Sequence, residues 1–176
     1  DVTLTPCDDE PGWVSRGSGE FGVVEERELF GVGSAFPPDD DGKAADMADA
    51  RAREALGEQA AGWVEAANAR MTDELDEYFK EANGAQYFFA RAAQDVPAAA
   101  AEKGEVRSRW TCGVTGEVFS LMAVSEDRMA ALYRKQVAQA AEEQGDDLLQ
   151  VKPKQFISIL RKKDMATLKP SGDLSG

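Results

Sequence analysis

Residues 39–83, DDDGKAADMADARAREALGEQAAGWVEAANARMTDELDEYFKEAN, decide the fold. The stretch is rich in alanine and holds no proline. At about 100° per residue, Ala45, Ala52, Leu56, Ala60, Trp63, Ala67, Met71, Leu75 and Tyr78 share one broad face. Arg51, Glu54, Glu58, Glu65 and Asp76 share the opposite one. This pattern predicts a single long amphipathic helix over 39–83. Alanine dominates the first half of its apolar face, so a flat partner can approach closely there. A helix must bury its apolar stripe against another layer, and a β-sheet is the expected layer. Asp39, Asp40 and Asp41 supply N-cap and first-turn acids, and Asn83-Gly84 supplies a stop.

The candidate strands flank this helix. Leu29 to Ala35 (LFGVGSA) reads as a first strand whose glycines suit close approach of another backbone. Glu105 to Cys112 reads as a second, with Val106, Ser108, Trp110 and Cys112 on one side and Arg107, Arg109 and Thr111 on the other. Residues 113–116 (GVTG) are turn-like, and Glu117 to Val124 (EVFSLMAV) completes an antiparallel hairpin. Ser125 is a good N-cap for a helix over 126–144, with Asp127 in its acidic first turn and Met129, Leu132, Tyr133, Val137 and Ala140 at helical spacing. Between the long helix and the hairpin, Ala85 to Ala93 reads as a short helix, Pro97 interrupts the Ala run that follows, and Lys103-Gly104 makes a turn. Its Tyr87, Phe88 and Phe89 suit either an exposed oligomer contact or a cap on the sheet. Lys154 to Met165 reads as a last helix, with Phe156, Ile157, Ile159 and Leu160 apolar.

The expected fold class is therefore α+β: a small antiparallel three-stranded sheet packed on one long helix, with further C-terminal helices. Residues 1–28, punctuated by Pro6, Pro11, Gly12, Gly17, Gly19 and Gly22, read as an irregular N-terminal segment. Residues 29–145 form the core domain, and 146–176 a C-terminal helix and tail.

Composition narrows function mainly by exclusion. The net charge is −13 over 176 residues. A phosphate backbone demands a basic face, and an anionic membrane surface does too, so neither is an expected partner. No apolar run is long enough to span a bilayer. The charge is uneven: residues 151–176 carry +4, which leaves −17 on the rest. Such a tail is either a solvated appendage or a connector that docks on an acidic neighbouring subunit. The connector reading is carried forward, with Phe156, Ile157 and Leu160 as its apolar contacts. The chain starts at Asp1 rather than Met, as expected of a processed or trimmed chain, which leaves a signal peptide undecided.

No motif spells out catalysis, and no enzymatic activity, metal or cofactor is expected. Gly17-Ser18-Gly19-Glu20-Phe21-Gly22 matches G-x-G-x-x-G, but a dinucleotide site needs a strand before it and a helix opening on it. Asp39 to Gly42 lacks the alternate oxygens of a calcium loop. The chain has no histidine, which removes histidine-based triads and most zinc and copper sites. The carboxylate pairs Asp46/Asp49 and Glu74/Glu77 sit at i, i+3 on the long helix and read as a solvated face. Cys112 has Arg107 and Arg109 near in sequence, a weak case for a nucleophile. Cys7 and Cys112 fit one disulfide in an oxidising compartment or two unrelated thiols. The bridge is the expectation tested below, since it would staple the lead segment to the sheet.

A family pattern runs through three blocks. Pro11-Gly12-Trp13-Val14, then Leu29-Phe30-Gly31-Val32-Gly33-Ser34-Ala35, then Ala48-Asp49-Ala50-Arg51-Ala52-Arg53-Glu54-Ala55-Leu56 resemble the Lpp-twenty family. Trp110-Thr111 and Gly116 to Val124 look like that family's closing hairpin. The family comprises small bacterial lipoproteins, among them a Helicobacter surface antigen and the flagellar basal-disk protein FlgP. The resemblance covers about residues 11–137. It implies a dodecin-like α+β fold, a periplasmic or outer-membrane-associated location, and a structural role in a homo-oligomeric ring or filament. Partners would be other cell-envelope or flagellar proteins. The residues before Cys7 (Leu4-Thr5-Pro6) do not form a lipobox, so lipidation is not carried over. The rival reading is a binding module that encloses a small apolar ligand between sheet and long helix.

Overall fold

The computed structural model describes residues 7, 9–22, 26–36, 43–74 and 85–144. In chain order these form α1 (Gly12–Arg16), β1 (Gly19–Phe21), β2 (Glu28–Ala35), α2 (Lys43–Glu74), α3 (Ala85–Lys103), β3 (Glu105–Thr111), β4 (Val118–Ser125) and α4 (Glu126–Gln144). The architecture is α+β: one antiparallel sheet of order β1-β2-β4-β3 with the long helix α2 against it. The three expected strands are present, each within a residue of its expected ends. A fourth, β1, lies in the lead segment beside β2, with Glu20 opposite Leu29. Three residues between glycines are too few to show a period of two, which is why β1 left no pattern in the sequence.

Cross-strand partners share a face, so the register sorts the sheet into two sides. Leu29 pairs with Val124, Gly31 with Met122, Gly33 with Ser120 and Ala35 with Val118. This inner side meets α2. A Cβ added at Gly31 would fall under 3.0 Å from backbone atoms of Ala52 and Leu56, and one at Gly33 under 3.0 Å from those of Ala48, Arg51 and Ala52. Only glycine on the strand and alanine on the helix permit that approach. The helix buries Ala44, Ala48, Ala52, Leu56, Ala60, Trp63, Val64, Ala67 and Met71. Ala45 is half-buried, so the inward stripe begins one residue earlier than expected. Arg51, Glu54, Glu58 and Glu65 face solvent as expected. Leu75, Asp76 and Tyr78, and both expected ends of this helix, lie outside the described residues.

α3 runs through Pro97, which was expected to interrupt the Ala run there. Proline removes one helical hydrogen bond and clashes with the preceding turn, a cost of about 3 kcal/mol in an exposed helix. Packing outweighs that cost here. Ala92, Val96 and Ala100 are fully buried in the main core, and Gly57 of α2 gives Pro97 and Ala101 room to approach. Arg53 of α2 donates to the carbonyls of Ala101 and Glu102 and so caps the end of α3. α4 starts where expected. Ser125 Oγ accepts from the Arg128 N–H (3.1 Å), and Glu126 and Asp127 fill the acidic first turn. Met129, Ala130, Tyr133 and Val137 complete the core. Among the described residues no helix is long and apolar enough to cross a membrane.

Trp63 sits at the centre of this packing, edge-on to Tyr133 with ring centroids 6.0 Å apart. Trp63→Ala should lower unfolding stability by about 3–5 kcal/mol. A chemical-denaturation curve matching that of the wild type would remove the helix face assigned here.

Candidate functional site

Glu20 lies on β1 and its neighbour Phe21 points to the sheet's outer side, so alternation turns Glu20 inward. There it meets Arg27, which leads into β2, and Glu126, the first residue of α4. All three are removed from solvent: side-chain exposure is 14% for Glu20 and 6% for Arg27, and Glu126 is 5% exposed. Arg27 Nη1 donates to Glu20 Oε1 at 3.1 Å. The Glu126 backbone N–H donates to the Arg27 carbonyl at 2.9 Å, which holds α4 against the start of β2. From α2, Trp63 Nε1 donates to Glu126 Oε2 at 3.3 Å. Glu126 lies close enough to Glu20 for its charge to act on that carboxyl.

Two carboxyl groups and one guanidinium, that of Arg27 bonded to Glu20, thus lie together in a buried place. Burial pushes the Glu20 carboxyl up to about 7 from 4.5; the Arg27 bond opposes this and the nearby Glu126 charge reinforces it. With a proton on Glu20, one carboxylate is left against the Arg27 guanidinium. The arrangement can hold and release a proton in the physiological range. Its residues line neither the groove between α2 and α3 at Gly57 and Pro97 nor the one along α4 at Arg128 and Lys135.

The other candidates resolve differently. Cys7 and Cys112 are joined as a disulfide, with Cα atoms 5.4 Å apart, so Cys112 is a bridging sulfur and not a nucleophile. By loop entropy a bridge across 105 positions stabilises by about 4–5 kcal/mol. Gly17-x-Gly19-x-x-Gly22 ends α1 and then forms β1 instead of opening a helix, so it lacks the phosphate cradle of a dinucleotide site. Asp49 does not sit on a solvated face. It accepts from Arg109 of β3 and from Ser120 Oγ of β4 (2.6 Å), and the Arg109 bond holds its carboxyl below the usual range. That contact exists because β3 bulges between Val106 and Ser108. The bulge puts Arg109 and Thr111 on the inner side with Val106, and leaves Ser108 and Trp110 outside, which breaks the simple alternation expected for this strand. Arg107, the extra residue, pairs with Glu28. Tyr87, Phe88 and Phe89 fall in the first turns of α3, but their side chains, like Phe156, Ile157 and Leu160, lie outside the described residues.

The outer side of the sheet is apolar and only partly covered. Phe30, Leu121 and Ala123 are buried there beneath Trp13, Phe21 and Val32. Arg16 stacks on Phe21, its guanidinium carbon 4.2 Å from the ring centroid. Towards the hairpin end the cover stops. Trp110 and Phe119 pack on each other with centroids 5.6 Å apart and are half-buried, while Phe36 is 60% and Val114 64% exposed.

No family model matches this chain, and no curated protein or solved structure matches it either.

Glu20 makes stability depend on pH with a definite sign. The folded protein keeps a proton that the unfolded chain loses above about 4.5. The stabilisation is full below that value and is lost as pH rises through about 7, a change of about 3 kcal/mol. The melting temperature should therefore fall between about pH 5 and about pH 8, and Glu20→Gln should flatten that slope. Equal slopes in the two proteins would contradict the buried pair.

Proposed function

We propose that this chain is a self-associating structural protein of the bacterial periplasm or outer membrane, built to assemble as a ring or filament with copies of itself. The observation that carries the reading is the open corner of the outer sheet face. Trp110 and Phe119 pack on each other half-exposed, and the strongly exposed Phe36 and Val114 follow the ends of β2 and β3 at that end of the sheet. Clustered apolar exposure of this kind marks an interaction surface, unlike scattered single residues. Aromatic anchors such as Trp110 dominate the energy of the contacts they enter. The disulfide supports an oxidising compartment, as periplasmic or secreted chains meet. The backbone contact of α2 on Gly31 and Gly33 favours an assembling shell over a module that holds a ligand between sheet and helix. The resemblance to the Lpp-twenty lipoproteins points the same way, including the flagellar basal disk as one setting for such an assembly.

The test is native mass by light scattering. The wild type should exceed the mass of one chain, and Trp110→Asp should lower it while leaving the circular-dichroism spectrum intact. Deleting residues 151–176 should lower it too, if that basic segment docks on an acidic neighbour. A wild type that stays monomeric contradicts the proposal.

A further inference from the structure

The lead segment crosses the outer sheet face from one corner to the other. It begins at Cys7, bonded to Cys112 beside the hairpin. It continues through α1, whose Trp13 covers Phe30, Leu121 and Ala123. The Val32 backbone N–H donates to Ser18 Oγ at 2.9 Å, and the segment ends in β1, paired with the start of β2. One end is covalent. The other is a three-residue edge strand, too short to hold by its ladder alone. What fixes that end in the core is the inward side chain of β1, Glu20, bonded to Arg27 and near Glu126.

We propose that the lead segment is a strap whose β1 end is latched by a proton on Glu20, buried between Arg27 and Glu126, and that loss of this proton frees β1 and uncovers the apolar outer face. The charged groups around Glu20 decide the direction. From the lead into β2 it faces Arg27, and from the start of α4 it faces Glu126; α2 contributes the uncharged indole N–H of Trp63, which is bound to Glu126. Glu28, opposite Phe21, lies on the other side of the sheet and pairs with Arg107. With one proton the buried set is neutral. Without it, two carboxylates face one guanidinium, and a net negative charge is left in a buried place. The least costly relief is to let Glu20 reach water, because β1 is an edge and its removal leaves β2 paired to β4. Phe21 leaves with it and Trp13 loosens, since both belong to the same segment. The Cys7–Cys112 bond keeps the strap tethered, so it can reclose. The exposed Phe30 and Leu121 then extend the apolar corner at Trp110 and Phe119. That this enlarges the surface for a second copy rests on the self-association reading above; the opening of the strap does not.

Amide hydrogen exchange of the full chain, read by mass spectrometry and corrected for intrinsic rates, tests the latch. Between about pH 5 and about pH 8.5 the opening equilibrium for residues 19–21 should rise on the order of 10–100-fold, while the α2 amides over 52–67 keep their protection. Glu20→Gln keeps the hydrogen bonds without the titration, and should remain closed at both pH values. Glu126→Gln removes the facing charge and should shrink the change. Protection of residues 19–21 that does not vary with pH in the wild type overturns the proposal, as does a full pH response in Glu20→Gln. Light scattering at the same two pH values reads the coupling separately. A larger mass at the higher pH supports it, and an unchanged mass alongside a positive exchange result overturns the coupling but not the latch.

Discussion

Everything in this molecule is arranged around the place where α2 lies on β2 with backbone touching backbone. Gly31 and Gly33 present no side chains to the helix, and Ala48 and Ala52 present only methyl groups. The sheet and helix therefore sit closer than side-chain interdigitation would allow. Farther along α2 the buried residues are larger: Leu56, Trp63, Val64 and Met71. Those larger residues then form the core with α3 and α4. The same approach brings Asp49 to Ser120 and Arg109, so one polar contact pins the register of three elements.

The two sides of the sheet serve different ends. The inner side is mostly apolar, with the Asp49–Arg109–Ser120 contact and, at its edge, the buried group of Glu20, Arg27 and Glu126. Such groups are seldom the most stable solution, since apolar residues of similar size often do as well or better. Their retention here fits a switch better than a fastener. The outer side is covered by the lead segment at one end and exposed at the other.

Much of this was legible in the sequence. Leu29 to Ala35 announced both a strand and its glycine contact surface. The Ala-rich stripe announced the flat approach of the helix, and Ser125 announced the start of α4. Features that depend on distant neighbours were not legible. Pro97 reads locally as a break, yet α3 continues because Val96 and Ala100 are buried on either side of it. The bulge at Arg107 has no local signal, and it reverses which side Arg109 occupies. Glu20 sits in a glycine-flanked triplet, and its partner Glu126 looks like an ordinary first-turn acid of a helix. Only the fold brings them together. The disulfide falls between these cases. Two cysteines made it an option, but the choice between a bridge and two thiols depended on how far the lead segment travels.

The contact between α2 and β2 is tested most directly by the same substitution at three glycines, with stability read from urea unfolding. Gly31→Ala and Gly33→Ala force a methyl group into the helix backbone and should each destabilise the protein by about 1–3 kcal/mol or more. Gly62, on the far side of α2, has nothing within 4 Å of an added Cβ. There alanine should stabilise by about 0.5–1 kcal/mol through helix propensity. Opposite signs at the strand and helix positions are the predicted result. Alanine tolerated at Gly31 and Gly33 as well as at Gly62 would mean that helix and sheet do not touch as described.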